Sequence, residues 1–210
     1  MNRIALIVLL SLPGLVRAER GSLSAEVGGG LTLSSMPAPG VRAAPELWGF
    51  DASVELAVRY GLFHWLEVGA RAFFAPPSTW YHHGAVVEQG GESYRGTLVH
   101  ESFGLGAAAG LRLVLGHEWR PYLQLDVGWA HRSFDEVRLL GDSPSGAVQD
   151  LGLGLGSSSR DDALLSLGVG LQWTGDHFFV SVSPRFDCIA GSAPAFAFTL
   201  PVALGWSFYP

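Results

Sequence analysis

Apolar and polar positions alternate with a period of two along most of the chain, the pattern of strands whose two faces meet different surroundings. In 23–33, Leu23, Ala25, Val27, Leu31 and Leu33 alternate with Ser24, Glu26, Gly28, Gly30 and Thr32. Trp48, Phe50, Ala52, Val54, Leu56, Val58 and Tyr60 do the same against Gly49, Asp51, Ser53, Glu55, Ala57 and Arg59. The alternation recurs over 66–74, 98–114, 122–129, 163–173, 178–187 and 196–208, which predicts eight amphipathic strands. Several reach the roughly 9–11 residues that a tilted membrane strand needs. Beyond residue 18 no run of eighteen apolar residues occurs, so no membrane-spanning helix is expected.

The connections fall into two classes. Those around 61–64, 116–120 and 174–177 read as tight turns, whereas 35–47, 75–97 and 134–161 read as long loops and 189–194 as a shorter one. Trp80 then falls in a loop. Short turns alternating with long loops is the layout of an up-and-down barrel in an outer membrane. A hairpin within 147–157 would raise the strand number to ten.

Alternation alone does not separate a membrane barrel from a soluble ligand carrier, whose apolar side chains point inward. Here the apolar face is bulky and aromatic, and the opposite face is mostly Gly, Ala, Ser and Thr with scattered charges. The interior of an eight-stranded barrel is only wide enough for side chains, so the small, polar face fits inside and the bulky face outside. Trp48, Trp65, Trp119, Trp129, Trp173 and Trp206 cluster near predicted strand ends, as two interfacial girdles require.

The inward set contains Glu55, Arg59, Glu67, Arg71, Arg112, Gln124, Asp126, Arg185 and Asp187, with Glu26 and Asp51 beside them. A turn centred on Phe63 sets Arg59 opposite Glu67 and Glu55 opposite Arg71, both opposite-charge pairs. Across the next turn Arg112 opposes Gln124 and lies diagonal to Asp126. A turn on Gly175-Asp176 pairs Trp173 with Phe178. Mixed signs predict a structural salt-bridge network that plugs the lumen rather than a selectivity filter.

Composition agrees. Of 210 residues only 15% are charged, against 48% hydrophobic, with Gly 28. Average soluble domains carry about 25% charged residues. All 13 basic residues are arginine, the formal charge is −6, and no basic stripe exists to bind nucleic acid. Residues 1–18 read as a cleaved export signal: Arg3, an apolar run Ile4 to Leu12, and the cleavage-site pattern Val16-Arg17-Ala18. The remainder, 19–210, is expected to be one barrel domain. A single cysteine, Cys188, excludes an internal disulfide and a thiolate metal cage.

The signal segment, the hairpin Tyr60-Gly61-Leu62-Phe63-His64-Trp65-Leu66-Glu67-Val68-Gly69 and the closing Phe198-Thr199-Leu200-Pro201-Val202-Ala203-Leu204-Gly205-Trp206-Ser207-Phe208 resemble the small bacterial outer-membrane β-barrel superfamily. The resemblance is to its eight-stranded class, typified by the OmpX, OmpA-barrel and OmpW types. It implies an all-β, antiparallel, up-and-down transmembrane barrel in the cell outer membrane with periplasmic termini. It further implies contact with outer-membrane lipid and lipopolysaccharide, insertion by periplasmic chaperones and the barrel-assembly machinery, and a monomer without a cofactor. Members end on an aromatic residue, whereas here Phe208-Tyr209 is followed by Pro210.

Few residues offer chemistry. His131-x-Ser133 resembles the His-x-Ser pair of outer-membrane lipid A deacylases, with Glu136 or Asp135 placed to orient the imidazole. The family's Asn after the serine is Phe134 here, and its acid position falls on Ser145. Adjacent imidazoles such as His82-His83 diverge in an extended chain, so with Glu88 they make a poor metal site, and none is expected. The Leu151-Gly-Leu-Gly-Leu-Gly156 stretch lacks the strand-to-helix setting of a phosphate loop. The expected function is therefore a non-enzymatic envelope protein with interaction loops. A lipid hydrolase and a small-solute channel are the alternatives.

Overall fold

The computed structural model describes residues 20–35, 48–142, 148–191 and 194–208. The export-signal segment, most of the 35–47 connection, Ser145, the Trp48 side chain and the terminal Tyr209-Pro210 lie outside the described residues. Every regular element described is a strand: β1 (Leu23–Ser35), β2 (Trp48–Phe63), β3 (Leu66–Gln89), β4 (Glu92–Val114), β5 (Trp119–Asp142), β6 (Val148–Asp150), β7 (Ser158–Thr174), β8 (Phe178–Val182), β9 (Arg185–Ala190) and β10 (Ala195–Phe208).

These ten segments build an eight-membered ring of antiparallel strands. β1 to β5 pair in sequence, β5 pairs β7, and β10 returns to β1 over thirteen residues from Leu23↔Phe208 to Ser35↔Phe196. β8 and β9 share one place between β7 and β10, parted only at Ser183-Pro184. The wall stays hydrogen-bonded there, since Ser183 N–H donates to Pro201 O (3.1 Å) and Val169 N–H to Pro184 O (3.0 Å). β6 only extends the upper edge of β5, so the described part of 147–157, residues 148–157, adds no strand to the ring.

The faces divide as the alternation predicts. Phe50 (78% exposed), Leu125 (46%), Leu167 (51%) and Phe198 (45%) stand on the outer wall, while Arg59 (4%), Arg112 (2%) and Gln124 (1%) are enclosed. Inward glycines make room for the few large lumen groups: a Cβ on Gly170 would lie 2.2 Å from the Tyr122 ring, and one on Gly205 would lie 2.0 Å from the Phe179 ring.

Two expected registers are corrected. Arg59 opposes Gly69 and Arg71 opposes Ala57, because the β2–β3 turn sits on His64-Trp65 and a bulge between Gly61 and Phe63 shifts the ladder. Trp173 opposes Val180, with Gly175 N–H donating to Phe178 O (2.8 Å), so the turn residues are Asp176-His177. The Trp173 and Phe178 rings still meet diagonally, edge to face at 5.4 Å. Arg112 does oppose Gln124.

The 75–97 segment is not a loop. β3 and β4 run on as a paired ladder to a two-residue turn, Gly90-Gly91, both with positive φ as a type I′ hairpin demands. Register shifts at Ala75/Ser78, which contains Pro76-Pro77, and at His82/Ala85 keep that ladder paired. Trp80 is accordingly a buried strand residue, its Nε1–H donating to Ser78 Oγ at 2.9 Å. β5 likewise continues through 134–142 and pairs with this extension. Ala85, Val87, Leu98, Phe134, Val137 and Leu139 form an apolar cluster on it, closed by Leu153 and Leu155 from the Gly-Leu repeat.

Candidate functional site

Most of the buried charged side chains among the described residues gather in the lumen. Glu26 on β1 accepts from Arg59 Nε (2.8 Å) and Arg112 Nη1 (3.0 Å). Gln124 Oε1 accepts from both arginines, at 3.1 and 3.3 Å, and Gln124 Nε2 donates to Asp126. Above that layer, Arg71 binds Asp126 (2.9 Å), Asp187 (3.4 Å) and Glu55 (3.5 Å). Arg185 binds Glu55 (2.7 Å) and Asp187 (3.4 Å). Below it, Arg120 binds Glu67 at 2.7 Å. The Arg112 guanidinium also stacks over the Tyr122 ring at 4.0 Å.

Every residue of the expected inward set enters this one network, with partners that differ from those expected. Arg59 takes Glu26 instead of Glu67, and Glu55 takes Arg185 more closely than Arg71. Arg120, at the start of β5, was not anticipated; its signal was a turn-flanking arginine of the same parity as Gln124. Among the described residues the network holds five guanidiniums (59, 71, 112, 120, 185) and five carboxylates (26, 55, 67, 126, 187). Charge cancels, and every ion of the network but Arg120 meets two or more partners, which helps to make burial tolerable, although Nε of Arg112, Arg120 and Arg185 is left without a hydrogen-bond acceptor.

The network separates two cavities. The upper one, about 100 Å³, reaches down to Arg71, Arg185 and Asp187. The lower one, about 730 Å³, opens among the turns and reaches up to Glu67, Arg120 and Gln172. Glu26, Arg59, Arg112, Gln124 and Asp126 line neither.

The outer surface carries Trp65, Trp119, Trp173 and Trp206 at the turn end and Trp129 at the opposite end, all exposed. Trp129 Nε1–H donates to Asp161 Oδ1 at 2.9 Å, and His131 Nδ1 meets the same oxygen at 2.9 Å. The hydrolase constellation does not assemble around this dyad. Ser133 Oγ donates to Asp135 Oδ2 (3.4 Å), and Glu136, at φ 51°, pairs with Arg138. Asp161, not Glu136 or Asp135, holds the imidazole because β5–β7 register sets His131 directly opposite it.

In the upper hairpin His82 and His83 diverge as expected. His83 is exposed against Thr97, while His82 points inward and its Nε2 lies 2.9 Å from His100 Nε2. Trp80 stacks on both imidazoles and Phe134 meets His100 edge-on. Burial lowers the His82 pKa; burial and then the neighbouring His82 lower that of His100 to about 4. No group of three or more metal-ligating side chains occurs among the described residues.

Three solved structures share this architecture. Neisserial surface protein A matches with a TM-score of 0.55 at 11% identity, over 90% of this chain and 100% of that one. Ail, the attachment invasion locus protein of Yersinia pestis, crystallised with the heparin analogue sucrose octasulfate, matches at 0.54 and 14%, over 90% and 99%. The fold is that of the small outer-membrane β-barrels. OprG of Pseudomonas aeruginosa gives 0.52 at 14% identity, over 92% of this chain and 99% of its own. No protein-family model matches the sequence, and no curated protein matches it.

Proposed function

We propose that the chain is an exported, non-enzymatic integral protein of the outer membrane, a monomeric barrel whose lumen is sealed and whose long hairpins meet surface partners. The observation that carries this reading is the inversion of the wall: aromatic and aliphatic side chains outside, a neutral arginine–carboxylate network inside. Such a wall has no stable place in water, where an apolar patch beyond a few hundred Å² already marks an interaction surface. Lipid would cover the band between the tryptophans at the turn end and Trp129. The turns and both termini would then face the periplasm, and the β3–β4–β5 extension would stand outside the cell beside lipopolysaccharide. Residues 1–18 would be removed on export and 19–210 retained. Insertion would depend on periplasmic chaperones and the barrel-assembly machinery.

The layer Glu26–Arg59–Arg112–Gln124 between the cavities favours a closed lumen over a conduit. The separation of Ser133 from His131–Asp161 favours a non-catalytic role. Fractionation of cells with heat-modifiability on gels tests the reading. A detergent-extracted protein that runs compact until boiled supports it, and recovery in the aqueous fraction without detergent overturns it. Planar-bilayer recording adds the second arm: steady single-channel conductance would overturn the sealed lumen while leaving the barrel intact.

A further inference from the structure

At the upper mouth of the lumen lies a charge cluster outside the neutral network. Arg132 on β5 and Arg160 on β7 are directly opposed across the strand pair, a like-charge juxtaposition that is unfavourable by itself. Both rely on one carboxylate. Asp162 Oδ2 lies 2.5 Å from Arg132 Nη2 and 3.1 Å from Arg160 Nε. The two guanidiniums therefore carry one positive charge in excess.

Several of their donors have no hydrogen-bond acceptor. Arg132 is 5% exposed, yet its Nε and Nη1 have no hydrogen-bond partner, and neither has Arg160 Nη2. The Phe134 ring lies 5.5 Å under the Arg160 guanidinium. Ser102 on β4, also 5% exposed with an unpartnered Oγ, lines the same 100 Å³ cavity as Arg132. The position opposite Arg132 on β4 is Gly104, which places no side chain before it. Of the other carboxylates of that cavity, Asp187 is engaged by Arg71, Arg185 and Thr199, whereas Asp51 meets only neutral donors, Ala52 N–H and Ser78 Oγ. Buried donors without acceptors are costly to fold, and arginine forks match tetrahedral oxyanions.

We propose that Arg132 and Ser102, which line the small cavity, with Arg160 beside it, form a binding site for one tetrahedral oxyanion, a phosphate group, at the upper mouth of the barrel. Asp162 holds the two forks in place from below and limits the attraction to a single group. The small cavity admits the end of a phosphorylated molecule and excludes its bulk. The site goes beyond the sealed-barrel reading and rests only on lumen geometry. The phosphate can arrive as a free ion or as the headgroup of a phosphorylated glycolipid.

The experiment uses the full barrel folded in phosphate-free maltoside micelles, with the arginine Nε–Hε resonances as readout. Inorganic phosphate is titrated in one arm and lipid A in the other. A saturable shift of the Arg132 signal in either arm supports the site; a shift with lipid A alone assigns the headgroup, and one with inorganic phosphate assigns the free ion. Arg132→Gln, followed on the Arg160 signal, and Arg160→Gln, followed on the Arg132 signal, should each weaken binding about tenfold or more, because each removes a charge-assisted bond. Ser102→Ala, which leaves every charge in place, should weaken it about threefold. Arg138→Gln, exposed and outside the cavity, should change nothing. No saturable shift in either arm, or equal affinity in Arg132→Gln, Arg160→Gln and Ser102→Ala, overturns the proposal.

Discussion

Glu26 and Arg112, 86 residues apart in sequence and three strands apart around the wall, meet at 3.0 Å in the middle of the lumen. Glu26 also receives Arg59, so one carboxylate ties β1, β2 and β4 together. Glu26→Gln should leave two enclosed guanidiniums short of a counter-charge and cost about 3–5 kcal/mol. Equilibrium urea unfolding in micelles measures it. A cost below about 1 kcal/mol, the range of exposed pairs, would mean that water reaches this layer.

Leu125 sits at mid-height of the outer wall, between Leu111 and Leu167 on the neighbouring strands. Leu125→Arg should destabilise the barrel in a phospholipid bilayer by about 2–4 kcal/mol, as a cation at the hydrocarbon midplane does. The same substitution at Tyr81, on the outer face of the extension above the wall, should cost less than about 1 kcal/mol. Equal costs at the two positions would place both in the same medium.

The His82–His100 pair makes the upper hairpin acid-sensitive. Unfolded histidine takes up its proton near pH 6.5, whereas folded His100 resists until about pH 4 and His82 is shifted the same way. Protons therefore favour the open hairpin: its stability is complete above pH 6.5 and is lost as pH falls through about 4. Hydrogen exchange across residues 78–102 should accelerate over that window while amides of 105–113 stay protected. His100→Gln should flatten the pH dependence, and an unchanged profile in that variant would remove the pair from the account.

Gly90 and Gly91 close the same hairpin at φ 62° and 86°. Gly91→Val forces a β-branched residue into that region at about 1–2 kcal/mol. Local exchange at 85–97 should rise without a change in global unfolding. Gly90→Asn should be tolerated, because asparagine adopts positive φ readily.

The ring of eight and its orientation were legible because a two-sided medium imposes a strict alternation that one residue after another must obey. Phe50, Leu125, Leu167 and Phe198 report the outside, and Arg59, Arg112 and Asp126 the inside, whatever their exact partners. Partner identity was less legible, since the turn on His64-Trp65 moves the ladder by three residues and the bulge at Leu62 takes one back, so Arg59 and Glu67 slip by two relative to each other and the facing is unchanged. The β3–β4 extension was hidden for a related reason. Pro76-Pro77 and Gly84 each shift the ladder, so the inward parity passes from Phe73 to Trp80 and His82 and then to Ala85 and Val87. The Gly90-Gly91 dipeptide was the available signal for a tight hairpin there. Asp161, Arg160 and Asp162 were unreadable because they belong to β7 residues that only the β5–β7 register brings to His131 and Arg132.

The seam between β1 and β10 joins residues up to 185 positions apart, Leu23 with Phe208. The cylinder therefore has no partial version: until the ribosome has delivered the final strand, β1 keeps a bare edge along its whole length. Closure is an event that follows synthesis, and any truncation ahead of Ala195 leaves an open, sticky ribbon in place of a shorter tube.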